Sequence, residues 1–167
     1  MANIVLIGMP GCGKSTVGVL LAKALGMAFL DTDIVLQAQE GALLQSLLDE
    51  IGIDAFLRRE EEAILTVDAE DTVIATGGSV VYEQRAMRHL HDKGKVVYIA
   101  LPYEEIERRL SNLATRGVAL RPGQTLRALY DERVPLYEAE ADVTIEPTGL
   151  DIEQTVARLA RLLKEST

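Results

Sequence analysis

The chain has 167 residues, 48% of them hydrophobic and 26% charged, with no tryptophan and two phenylalanines; this balance suits a single globular domain over 1–167 with an aliphatic core. A net charge of −9 argues against nucleic acid as a partner, because binding a phosphate backbone draws on basic surface, and no apolar run approaches the roughly 18 residues of a membrane span. The single cysteine, Cys12, rules out an internal disulfide; with no leader pattern ahead of the first strand, a cytoplasmic monomer acting on a small molecule is expected.

The run Asn3-Ile4-Val5-Leu6-Ile7 is short, apolar and rich in β-branched residues, and reads as a buried strand. Directly after it, Gly8-Met9-Pro10-Gly11-Cys12-Gly13-Lys14-Ser15 fits G-x-x-x-x-G-K-[ST], the loop that cradles phosphates. Its glycines let backbone N–H groups turn inward at a helix N-terminus, where an anion is favoured. Lys14 supplies a mobile charge for the outer phosphates, and Ser15 offers a hydroxyl to Mg²⁺. Residues 17–25 read as the helix that the loop requires, ended by Gly26.

Next, Ala28-Phe29-Leu30 is a short strand that delivers Asp31-Thr32-Asp33 at its carboxyl end. Helical spacing runs through 34–50, broken near Gly41, and again through about 54–67. In that second stretch Arg58, Arg59, Glu60, Glu61 and Glu62 read as ion pairs on an exposed helix face. Thr72-Val73-Ile74-Ala75 is a buried strand closed by Thr76-Gly77-Gly78-Ser79. A helix over 83–93, a strand over 95–101 and a helix over 103–112 follow; His89 and His91 read as surface residues without an acidic partner. Residues 113–124 read as a mobile loop, before a helix over 125–139, a strand over 141–145 and a helix over 151–164. Strands alternating with helices predict an α/β domain with a parallel sheet and helices on both faces.

In such sheets a ligand sits beyond the carboxyl ends of the strands. The phosphate loop, Asp31 with Asp33, and Gly77 with Gly78 all lie at such ends, so three distant segments converge on one edge. Phosphoryl transfer needs a metal, a carboxylate to hold it, a group that orients the acceptor hydroxyl, and cations that absorb charge. Asp31 and Asp33 suit the two carboxylate roles, although Asp33 also fits as a plain helix cap before Ile34. Gly77 and Gly78 suit close backbone approach to a ligand, or a simple tight turn. Arg108, Arg109, Arg116, Arg121, Arg127 and Arg133 stand in a stretch that holds Asp131 and Glu132 as its acids. That pattern suits a lid that closes over a nucleotide, with Arg108 and Arg127 on solvated helix faces. A guanine-reading Asn-Lys-x-Asp is absent, since neither Asn3 nor Asn112 begins one.

Almost end to end, these residues resemble shikimate kinase: the Gly8 to Thr16 loop, Asp31-Thr32-Asp33, the helix from Phe56 to Glu61, Ala75-Thr76-Gly77-Gly78, Glu132-Arg133-Val134-Pro135-Leu136-Tyr137, and Ala141-Asp142-Val143-Thr144. The resemblance implies a three-layer P-loop kinase fold with a five-stranded parallel sheet, a lid over about 113–124 and an acceptor-binding helical segment over about 33–62. It implies ATP- and Mg²⁺-dependent phosphorylation of the 3-hydroxyl of shikimate. By position, Gly11, Cys12, Gly13, Lys14, Ser15 and Thr16 would hold ATP, with Ser15 and Asp31 serving the metal. Arg109 would lie beside the adenine and Arg116 would be the lid arginine, catalytic together with Lys14 and Asp33. Asp33, Arg58, Gly77, Gly78 and Arg133 would hold the acceptor. Three segments depart from the family pattern. Its F-R-x-x-E is Phe56-Leu57-Arg58-Arg59-Glu60, so either Arg58 reaches the site or the carboxylate clamp is lost. Its third glycine is Ser79, and its Arg-Pro-Leu-Leu is Arg116-Gly117-Val118-Ala119. Alternatives are a kinase for another hydroxy acid such as gluconate, or for a nucleoside, and an ATP-binding relative without catalysis.

Overall fold

A computed structural model describes residues 2–111 and 118–165. Five strands, β1 (Asn3–Ile7), β2 (Ala28–Asp31), β3 (Thr72–Ala75), β4 (Gly94–Ile99) and β5 (Val143–Ile145), form one sheet in the order β2-β3-β1-β4-β5, every neighbouring pair parallel. Parallel pairing forces a crossover after each strand. Those crossovers supply α1 (Lys14–Leu25), α2 (Thr32–Glu40), α3 (Leu44–Leu65), α4 (Gln84–Lys93), α5 (Tyr103–Ser111) and α6 (Leu126–Glu140), with α7 (Ile152–Glu165) closing the chain. All five residues of β1 are buried, as are all four of β3, which fits central strands covered on both faces. The strand order turns around β1, with β3 on one side and β4 on the other, so the loop leaving β1 opens at the switch point where such folds bind ligands.

The predicted break at Gly41 is real: Gly41 takes the left-handed conformation (φ 65°) and its N–H caps α2 through the Gln37 carbonyl. The helical stretch predicted up to residue 50 and the one predicted from 54 instead form one run, Leu44–Leu65, interrupted at Gly52 (φ 79°, ψ 169°). Between α2 and α3 a small second core gathers Leu36, Leu47, Phe56 and Ala63 together with Ala119. The main core fills the space around the sheet.

Two expectations about charged side chains are corrected. His91 has an acidic partner, its Nε2 lying 2.9 Å from Glu140 Oε2, and half-buried His89 sets Nε2 2.6 Å from the Val67 carbonyl, where it must be the donor. The cluster on α3 is paired between helices instead of within one: Arg59 binds Glu40 of α2, Arg85 of α4 binds Glu61, and Glu60 is buried.

Gly18 of α1 faces the Phe29 ring so closely that an added Cβ would stand 2.7 Å from Cε1. In an exposed helix Gly→Ala gains about 1 kcal/mol, while overpacking a rigid ring costs about 1–3 kcal/mol. Gly18→Ala is therefore expected to lower stability by roughly 1 kcal/mol in denaturant melts; a gain would show that Phe29 yields at no cost.

Candidate active site

The phosphate loop bends from β1 into α1 through Gly13, which sits at the N-cap in the left-handed conformation (φ 100°). No side chain caps α1, so its first N–H groups stay available to an anion at the positive end of the helix. Lys14 is buried and its Nζ donates to the carbonyls of Gly8 (2.8 Å) and Met9 (3.0 Å). Cys12 is buried with Sγ 3.8 Å from that Nζ and packs beneath the loop, while Ser15 and Thr16 face solvent.

Ser15 Oγ donates to Asp31 Oδ2 at 2.7 Å. Two hard oxygen donors side by side at the foot of the phosphate loop fit Mg²⁺, which takes few protein ligands and fills its shell with phosphate oxygens and water. No cluster of three or more His, Cys, Asp or Glu ligands exists among the described residues.

Asp31, with Asp33 as its client, is the helix cap here. Asp31 Oδ1 accepts from the Asp33 N–H at 2.9 Å and caps α2, so Asp33 falls within the first turn. Its side chain is thereby free to turn toward β3. A Cβ added to Gly77 would lie 2.7 Å from Asp33 Oδ1 and 2.6 Å from Glu60 Oε2, so both carboxylates press on the backbone there. Burial pushes the Asp33 pKa up, the carboxylates of Glu60 and Asp31 push it further, and Lys14 offsets part of the rise, leaving it at about 7.

Gly78 is equally crowded, with Pro10 Cδ 2.8 Å and Arg133 Nη1 2.9 Å from a would-be Cβ. Its carbonyl accepts from the buried Tyr137 hydroxyl at 2.6 Å. Arg133 is 1% exposed. Its guanidinium donates to the Ala119 carbonyl (3.1 Å) and lies over the Tyr82 ring, with Nε 3.4 Å from the Tyr82 hydroxyl. It forms no ion pair among the described residues, although Glu60 and Glu83 are near enough to feel its charge.

A cavity of about 270 Å³ joins these groups, bounded by Pro10, Gly11 and Gly13 to Thr16 of the loop on one side and by Asp33, Glu60, Thr76, Gly77, Gly78 and Arg133 on the other. Phe56, Ser79, Val118 and Ala119 complete its wall. Arg58 does not line it. Phe56 and Glu60, four apart, turn inward on one face of α3, and Arg58, halfway between them, is exposed on another. Leu57 packs against the small core between α2 and α3. Arg109 holds Glu105 (3.0 Å) and donates to the Gly11 carbonyl (3.1 Å), and with Pro147 to Leu150 it borders another cavity, of about 380 Å³. Arg121 meets Asp54 at the surface, and Arg108 and Arg127 pair with acids of their own helices. Arg116 and the lid residues up to 117 lie outside the described residues. Sequence spacing overlooked Glu60 as a wall residue, for which the inward signal was its four-residue offset from Phe56; Ser79, one of the departures from the family pattern, also lines the cavity.

The shikimate kinase family model matches residues 10–164. Shikimate kinase of Francisella tularensis subsp. novicida (strain U112) is 36% identical over 99% of this chain and 96% of that protein, and the one from Paracidovorax citrulli is 38% identical over 97% and 92%. Among solved structures, shikimate kinase from Acinetobacter baumannii in complex with shikimate superimposes with a TM-score of 0.88 at 31% identity, covering 100% of this chain and 95% of that one. A loop, sheet order and carboxylate pair of this kind, matched over nearly the full length, place the chain in the shikimate kinase family.

Proposed function

We propose that this kinase transfers the terminal phosphoryl group of ATP to the 3-hydroxyl of shikimate, giving shikimate 3-phosphate for aromatic amino-acid biosynthesis. The observation that carries the reading is the shared cavity: the phosphate loop and the group Asp33, Gly77, Gly78 and Arg133 border the same small space. A donor phosphate and an acceptor alcohol held there need travel no distance to react.

Each residue then has a task. The loop amides and Lys14 hold the outer phosphates, and Lys14 leaves the Gly8 and Met9 carbonyls to do so. Ser15, with Asp31 directly or through water, would hold Mg²⁺, which when bound neutralises charge on the phosphates. Asp33 orients the acceptor hydroxyl and takes its proton, a role that a carboxylate with a pKa of about 7 fills well near neutrality. Arg133, buried and without a carboxylate partner among the described residues, suits the carboxylate of the acceptor. Arg116 is assigned to closing over the nucleotide, and Arg109 to the adenine side. Arg58 is left without a part, so Arg133 alone replaces the arginine pair of the family pattern.

A coupled assay with shikimate and a panel of hydroxy acids tests the acceptor; turnover of another alcohol with none of shikimate would keep the kinase and reject this substrate. Asp33→Asn is expected to lower kcat by about 10²–10⁴-fold while calorimetry finds ATP binding unchanged. Wild-type rates in that variant would remove Asp33 from the reaction.

The same substitution should stabilise the nucleotide-free, metal-free protein. The folded pKa of Asp33 is raised from 3.8 to about 7, so the folded state holds its proton more tightly than the unfolded chain. Its ionisation therefore costs nothing below about pH 4, costs progressively more up to about 7, and costs a constant few kcal/mol beyond. Asp33→Asn should melt above wild type at alkaline pH and converge with it in acid; parallel curves would refute the shift.

Gly77→Ala inserts a methyl between the Asp33 and Glu60 carboxylates. Since a displacement of about 1 Å at a reacting group can cost a hundredfold, kcat/KM for the acceptor is expected to drop by about that factor, with the KM for ATP little changed.

A further inference from the structure

Behind the acceptor side of the cavity, three buried side chains meet. Glu60 of α3 is 2% exposed, and Ser79 and Glu83, which flank a 3₁₀ turn (Val80–Tyr82), are each 5% exposed. Ser79 Oγ donates to Glu60 Oε1 at 2.6 Å. Glu83 stands at the N-cap of α4, yet its side chain caps nothing. Instead it turns inward to the Glu60 carboxyl, with both of its oxygens shut off from water and reached by no N–H or O–H donor among the described residues.

Two carboxyl groups that face each other away from water cannot both ionise, and a single proton between them satisfies both. The charges around them decide where it stays. Burial raises both groups; the Glu60 carboxylate and Glu61 raise Glu83 further, whereas contact with Glu83 and Ser79, and the charges of Arg133 and Lys14, favour ionised Glu60. Arg133 also faces Glu83, more weakly than the acids do, and Asp33 faces Glu60 across Gly77. The proton therefore stays on Glu83.

We propose that Glu83 is a positioning residue of the acceptor pocket: as a neutral acid it donates a hydrogen bond to Glu60 and, with Ser79, clamps the Glu60 carboxylate in the cavity wall beside Asp33. Glu83 does not itself border the cavity. It acts through Glu60, whose Oε2 lies against Gly77 next to Asp33 Oδ1, where the acceptor must seat if the reading above holds. Without the donor from Glu83, a buried carboxylate would keep one hydrogen bond from Ser79 and would move toward water or toward Arg133.

The test has one arm without substrate and one with it. Infrared difference spectra of the nucleotide-free protein in mildly alkaline buffer should retain the C=O stretch of a protonated carboxyl, and Glu83→Gln should remove it. Absence of the band in the wild type, or its survival in Glu83→Gln, overturns the proposal. In the second arm Glu83→Leu, which removes the donor, should raise the acceptor KM by about tenfold with the KM for ATP unchanged. Glu83→Gln, whose amide restores a donor, should recover most of that loss. Equal impairment of both variants, or none in Glu83→Leu, also overturns it. Should Glu83→Leu fail to fold, the wild-type spectrum and Glu83→Gln still decide. Failure to turn over shikimate would sink the acceptor reading and leave the spectrum standing, so the two failures are told apart.

Discussion

Four ionisable side chains, Lys14, Asp33, Glu60 and Arg133, border one small cavity, three of them buried and Asp33 partly so. Charge removed from water has to be met by opposite charge or by hydrogen bonds, so the position of each side chain constrains the other three. Lys14 lies 8% exposed among loop carbonyls and Arg133 1% exposed beneath a carbonyl and a tyrosine ring. Among the described residues neither cation is consumed by an ion pair, which leaves both open to anionic ligands. The two carboxylates sit together instead, and Glu60 helps to raise the pKa of Asp33. Gly77 and Gly78 follow from this crowding, since a side chain at either position would collide with an acid or with Arg133.

Support for that arrangement comes from further away. Tyr137 stacks on Tyr98 of β4 and gives its hydroxyl to the Gly78 carbonyl, so the sheet braces the turn after β3. Arg133 lies one turn earlier on α6, and its bond to the Ala119 carbonyl draws Val118 and Ala119, inside the stretch expected to form a lid, into the cavity wall. One helix thus holds the Gly78 backbone, the Arg133 guanidinium and the Ala119 segment in register. The Glu-Arg-Val-Pro-Leu-Tyr run reads as a family mark in sequence because Arg133 and Tyr137, four apart, must share a face.

What could be read from the sequence was local. The phosphate loop, its flanking strand and helix, and the Asp31/Asp33 pair each need only contiguous residues with fixed backbone demands, and all five strands were recognisable as apolar runs. Asp31 was legible as a carboxylate at a strand end, but its capping of α2 was not, because Thr32 gives no sign that the helix starts one residue after β2. Charge spacing misassigned α3. Arg58 drew attention as the nearest cation to a missing one, yet a helix turns about 100° per residue, and the face that Phe56 and Glu60 bury is not the one Arg58 occupies. His91 and Glu140 stand 49 residues apart, a pairing that no local pattern announces.

Two departures from the family pattern, separate in sequence, meet at one carboxylate. Leu57 lies three residues before Glu60, a spacing at which helix side chains are neighbours, so an arginine there would have been placed to satisfy that acid. With leucine at 57 the helix gains packing in the core between α2 and α3, and Glu60 loses a candidate partner. The serine that replaces the third glycine supplies a hydroxyl to the same oxygen pair. A neutral donor has taken the place of a cation, which keeps Glu60 bonded without adding positive charge to the cavity. Arg133 is then the one arginine among the described residues that lines the cavity, which is why the acceptor carboxylate is proposed to meet it. Its reach is set by Tyr82 and Ala119, and so by the wall that Glu60 completes.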